Sequence, residues 1–254
     1  NDFVEQQHSA LSPLSGTTVA RFMRSYVSRF QISDPEVAVD YLVALMNGFQ
    51  TGDVSPEVRA EFHECLADLI ASTALRSSSA ILFGLEAETV DPKEDPLLRV
   101  VGTTDKSGGS AGWLEQYLSR DHVRMLTRHA ATRLTQEEGE TVAAAFLFSV
   151  VAAHIDLIAL VNDRLSAALS GVGHESVSRW QAIATIHLHA NGETTIENEL
   201  AAANHHDLYV TFVILYNICN FVDLVEKGEW VKAVDLIYEL DLLPAKVSSV
   251  EAKV

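Results

Sequence analysis

Apolar positions recur along most of this chain with the three-and-four spacing of helices, and the pattern is clearest from His206 to Pro244. Leu208 to Leu215 is apolar almost all round, which predicts a helix buried on more than one side. Gly228 ends it, because glycine accepts the left-handed C′ conformation without a Cβ clash. A second helix follows. Trp230, Ala233, Val234 and Ile237 have the i, i+3, i+4, i+7 spacing of one buried face, and Glu229, Lys232, Asp235 and Glu239 make the wet one. Pro244 closes the unit by disfavouring helix at Leu243. The packing residues expected in this segment are Phe212, Leu215, Phe221, Trp230, Ala233, Ile237, Leu240 and Pro244. One inner helix and one half-exposed outer helix form the repeating unit of an α-solenoid.

The same spacing continues upstream. Val19, Phe22, Met23, Tyr26, Val27 and Phe30 mark a helix over 17–32, and Arg21, Arg24 and Arg29 make it the one locally basic helix. Ser33 or Asp34 caps the next, with Pro35 in its first turn, and it runs to about Phe49. Ser55-Pro56-Glu57 opens a third helix through about Ala74, and a short one covers 78–85. The pattern breaks over 89–112, which holds Asp-Pro twice and Ser107-Gly108-Gly109-Ser110. Residues 102–111 are expected to form a flexible loop or break. Helices are expected again over 113–134, 137–151, 154–169, 175–190 and 196–203. No run alternates as a strand does. The helices have no fixed period, and the 34-residue tetratricopeptide signature is absent. The expected fold class is all-α: an irregular α-solenoid of stacked antiparallel helices, with 1–254 forming part of one solenoid domain.

A long apolar helix, an acidic-basic-Gly turn and then Ala-x-Asp-Ile/Leu-Ile-x-x-Leu-x-Leu-x-Pro resembles the solenoid of the nucleoporin-interacting component family, the large linker nucleoporins of the nuclear pore inner ring. The matching residues are Thr211, Phe212, Phe221, Asp223, Gly228, Ala233, Asp235, Ile237, Leu240, Leu242 and Pro244. Ser33-Asp34-Pro35-Glu36-Val37-Ala38 with Tyr41 is similar to the family's Ser-Asp-Pro-x-x-Ala helix start. Phe62, Cys65 and Leu69, then Ile81-Leu82 and Leu85-Glu86, make a further match, whereas residues 95–205 match poorly in detail. The resemblance implies a helical path with a fold-back and a scaffold role at the nuclear envelope. It implies other nucleoporins as partners: short segments of linker nucleoporins, large inner-ring scaffold nucleoporins, and the channel nucleoporin complex through an N-terminal helical segment lying outside this chain. A coatomer-like vesicle-coat solenoid is the alternative, since such proteins share helix pairs with Gly turns.

Charge narrows the partners. The chain has 254 residues, 18 basic and 35 acidic, for a net charge of −17. Such a surface repels phosphate backbones and anionic lipid, so neither nucleic acid nor a membrane surface is an expected partner. The run Val142–Val161 has the length of a bilayer span. Asp156 within it costs about 2.5–3.5 kcal/mol to insert, and the flank from Gln136 to Glu140 is acidic, so a buried soluble helix is expected. The chain has no initiator Met and ends Val-Glu-Ala-Lys-Val, which reads as a fragment of a longer chain.

No chemistry stands out. His187 and His189 on one helix splay about 200° apart. His205-His206, His122 with His129, and His63-x-Cys65 lack ligand spacing, and neither HExxH nor a paired CxxC occurs. The GxSxG elbow, the phosphate loop and GxGxxG are all missing. Glu137, Glu138 and Glu140 fit a helix start, where the dipole favours negative charge, without calcium. Cys65 and Cys219 lie in apolar patterns and are expected as packing thiols in a reducing compartment. A non-enzymatic protein without metal or cofactor is the expectation, against an all-α metal hydrolase as the enzyme alternative.

Overall fold

The computed structural model describes residues 16–31, 33–49, 56–81, 83, 94–103, 110–136, 140–171, 176–191 and 193–240. These contain twelve α-helices, one 3-10 turn and no strand, the all-α class expected. Contacts divide the chain into two compact units, 1–153 and 154–254.

The first unit holds α1 (Gly16–Val27), α2 (Pro35–Phe49), α3 (Pro56–Ala74), α4 (Ser78–Ile81), α5 (Pro96–Val101), a 3-10 turn (Trp113–Gln116), α6 (Arg120–Leu134) and α7 (Thr141–Val150). Its centre is α3, which packs against α1, α2, α5 and α6. Phe62, Cys65 and Leu69, three of the resemblance positions, are buried there. The outer flank of α3 is polar. Glu61, Glu64 and Asp68 sit three and four apart, so they share one face. Arg24 of α1 pairs with Asp68, as does Arg133 of α6, and Arg133 also reaches Glu64 at 3.2 Å.

Helix α5 was not foreseen. Pattern reading places a break over 89–112, but residues 96–101 are helical and largely buried. The signal is Asp95-Pro96, the same Asp-Pro pair that opens α2 at 34–35. Asp95 is itself buried, and its carboxylate accepts from Leu97 N at 2.9 Å, Ser77 Oγ at 2.8 Å and Ser79 N at 3.0 Å. One side chain thus caps α5 and holds the start of α4. The expected loop falls mainly on residues 104–109, outside the described residues. Its ends are pinned by Thr103 N donating to Ser110 O at 3.0 Å. Gly102 has φ +79°, and a Cβ there would lie 2.6 Å from Gly112 N, so this close backbone approach requires glycine.

The second unit holds α8 (His154–Leu169), α9 (Val177–Asn191), α10 (Glu193–Ala202), α11 (His206–Glu226) and α12 (Trp230–Glu239). The run 142–161 is therefore not one helix. Helix α7 ends in a Schellman turn, with Ala153 N donating to Phe148 O at 2.9 Å, Ala152 N to Ser149 O at 3.1 Å, and Ala152 at φ 54°. Among the described residues, α11 alone is long and apolar enough to cross a membrane by length and composition. It packs on α8, α9, α10 and α12.

Candidate functional site

Helices α11 and α12 carry the segment with the clearest pattern, and their packing differs from the expectation. Phe212 and Cys219, seven residues apart and so on one side of α11, are its buried residues. Leu215 and Phe221 are half-buried, while Val210 and Ile214 are exposed. A helix apolar all round does not here acquire partners all round. Its polar side chains bond sideways to α9: Gln181 Nε2 donates to Asn220 Oδ1 at 2.6 Å, and the Thr185 and Tyr216 hydroxyls lie 3.0 Å apart.

Gly228 ends α11 as expected. It has φ 75°, and Glu229 N donates to Leu224 O at 2.8 Å in a Schellman turn. This turn aims α12 back along α11. Ala233 is buried against it, with Leu236, Ile237 and Leu240 half-buried beside it. Trp230 was expected in that packed face, but its side chain is 63% exposed; Val231 and Val234 are exposed too, and Tyr238 is 67% exposed. The packed side is rotated by about 60° from the one the i, i+3, i+4, i+7 count selects. The physical reason is that α12 is apolar over well more than half its circumference and packs chiefly on one helix, α11. Pro244 lies outside the described residues.

The result is an outward ridge of Trp230, Val234 and Tyr238, one turn apart each, widened by Val231. Beside it, Asn220, Asp223, Leu224, Lys232, Asp235 and Leu236 line a shallow cleft between the two helices. Lys227 binds Asp223 at 2.6 Å and Lys232 binds Glu229 at 2.6 Å, so both local cations are already engaged. The hydrogen bond from Lys227 to Asp223 raises the lysine pKa. Exposed tryptophan and tyrosine in such a setting suit recognition of apolar side chains, not bond making.

The histidines pair across helices, which no reading along a single helix finds. His63 of α3 meets His122 of α6 at 3.1 Å between Nε2 atoms, and burial, then His122 and Arg59, lowers the His63 pKa. His129 approaches Glu64 at 2.9 Å. His187 of α9 is buried beside His154 of α8, 3.2 Å away, and its pKa falls to about 4, from burial first and then from His154. Glu199 Oε2 lies 3.4 Å from His154 Nε2. The His189 side chain is outside the described residues. Among those described, no three His, Cys, Asp or Glu side chains converge in metal-binding geometry. Cys65 and Cys219 are free and buried, and burial pushes both thiols up to about 11, far from the reactive range.

Comparison with curated proteins returns no match. A family profile described as Nup93/Nic96 matches residues 3–254, and it distinguishes the pore reading from the vesicle-coat alternative. This chain belongs to the Nup93/Nic96 family, structural nucleoporins that form part of the nuclear pore complex at the nuclear envelope.

Proposed function

We propose that this chain serves in the inner ring of the pore scaffold, organising and anchoring neighbouring nucleoporins, and that the α12 ridge takes short segments of linker nucleoporins. The observation that carries this reading is the exposure of Trp230, Val231, Val234 and Tyr238 within the segment of strongest family resemblance. Trp and Tyr supply a large share of interface binding energy, and a helical segment laid along α12 buries their rings with its own apolar face. Exposed Glu226 and Asp235 flank the ridge, while Lys227 and Lys232 are paired internally. A linker segment with Lys or Arg beside its apolar anchors is therefore favoured. Large inner-ring scaffold nucleoporins and the channel nucleoporin complex are further neighbours in this reading. Holding them in place supports passage of protein and mRNA through the pore.

The test uses the purified chain and a Trp230→Ala/Tyr238→Ala variant as bait in nuclear-envelope extract, with bound proteins identified by mass spectrometry. Linker and large scaffold nucleoporins are expected on the parent chain, reduced at least about tenfold on the variant, as loss of two aromatic anchors implies. Equal recovery on both would remove the ridge from the reading. Recovery of coat or trafficking proteins in place of nucleoporins would overturn the anchoring role.

A further inference from the structure

A second surface lies in the first unit and owes nothing to the α12 ridge. The rings of Tyr26 and Phe30 from α1 and the turn after it, and of Tyr41 from α2, meet edge to face, with centroids 5.4, 5.9 and 5.5 Å apart. Such pairs fix one another in place. The cluster is not sealed. Tyr26 and Tyr41 are exposed, Val37 stands exposed one turn before Tyr41, and Phe22, one turn before Tyr26, is 69% exposed. Two helices thus present a preformed aromatic face to solvent.

Its charge is opposite to that of the chain as a whole. Helix α1 has no acidic residue. Ser25 and Arg29 lie four and eight residues on from Arg21, with Arg29 in the turn after α1, so the two arginines run beside Phe22, Tyr26 and Phe30. Both arginines are exposed, and among the described residues neither has an ion-pair partner. Arg24, on the other side, is held by Asp68. The nearby carboxylates of α2 are engaged: Glu36 pairs with Arg99, and Asp40 accepts from Trp113 Nε1 and Tyr117 OH, each at 2.8 Å. Asp34 is the exposed carboxylate at this end of α2. A cationic aromatic face therefore stands on a chain of net charge −17.

We infer that the α1–α2 face of Phe22, Tyr26, Val37 and Tyr41, flanked by Arg21 and Arg29, docks an acidic amphipathic helix of a protein partner. Tyr, Phe and Arg are the residue types enriched at interface cores. The preformed ring cluster lowers the ordering cost of binding. The two parallel ridges match a helix with apolar residues at i and i+4 and Asp or Glu on the adjoining stripe. Charge complementarity selects that sign, because Arg21 and Arg29 are exposed beside the rings with no ion-pair partner among the described residues.

The probe is a dye-labelled amphipathic peptide of about five turns, long enough to hold helix when packed, with Leu on one stripe and Glu beside it. Its control has Lys at every Glu position. Fluorescence anisotropy with the full chain is expected to show binding of the Glu peptide, weakened about tenfold or more by raising salt from about 0.05 to about 0.3 M, and no binding of the Lys peptide. Arg21→Glu/Arg29→Glu and, separately, Phe22→Ser are each expected to weaken the Glu peptide at least about tenfold; all three side chains point outward, and unchanged thermal melting confirms the fold. Trp230→Ala/Tyr238→Ala is expected to leave this binding intact, which separates it from the linker reading above. Equal binding of both peptides, no binding of either, or indifference to both variants would overturn the inference. So would sedimentation showing that the chain dimerises through this face, which would assign it to a second copy.

Discussion

Two tryptophans show how much a single position depends on its neighbours. Trp180 is 1% exposed and sits in the core of the second unit, whereas Trp230 stands outside. Trp180→Ala is expected to cost about 3–5 kcal/mol in urea denaturation, and Trp230→Ala less than about 1 kcal/mol. Equal losses would mean that the ridge is covered. His187 is a second residue whose behaviour follows from its place. Its folded pKa of about 4 lies below the ordinary 6.5, so above pH 6.5 it is neutral in both states and costs nothing. As pH falls from 6.5 towards 4 the unfolded chain takes the proton first, and stability is lost across that window. Below it both states are protonated and the loss stops growing. The drop between pH 7 and pH 5 is expected to be about 2 kcal/mol, and His187→Gln should flatten it. A variant with the parent's pH profile would show that another group carries the dependence. Both His187 and His154 are visible in the sequence as helix histidines; their pairing is not, because they are 33 residues apart and meet only after α8 and α9 pack.

Among the elements, three Schellman turns differ in how openly the sequence announces them. Gly228 marks the end of α11 by its identity alone. Asn204, with φ 61° and His205 N bonded to Leu200 O at 2.7 Å, marks the end of α10 less strongly. Ala152 marks nothing, since alanine is a helix former, yet it adopts φ 54° between α7 and α8. The left-handed conformation costs alanine about 1–2 kcal/mol, of which glycine avoids most while losing more chain entropy on folding. Ala152→Gly is therefore expected to stabilise by about 0.5–1 kcal/mol, read as a higher urea midpoint; a lower midpoint would show that the methyl group packs usefully. Helix starts were easier. Pro35 and Pro56 open α2 and α3 where local chemistry places them, and α8 begins and ends where its pattern does. Asp95-Pro96 was the same signal, obscured by the Gly- and Ser-rich stretch after it.

For the molecule as a whole, the excess of 35 acidic over 18 basic residues sets a repulsion that folding must overcome. Raising KCl from about 0.02 to about 0.3 M is expected to raise the melting temperature by roughly 2–4 °C. A fall would show that local pairs such as Arg24–Asp68 and Arg133–Glu64 outweigh the general repulsion. The division at residue 153 had no mark in composition, because no Pro, Gly or polar linker stands there. The sequence by itself determined the all-α class, the order of most helices, the stop at Gly228 and the family, because backbone period, capping chemistry and short motifs are local properties. Which side of α11 and α12 is packed, which tryptophan is core, where Asp95 bonds and which histidines meet were decided only by the tertiary structure. Burial is a property of two surfaces, and a helix apolar over most of its circumference carries no record of which side its neighbour takes.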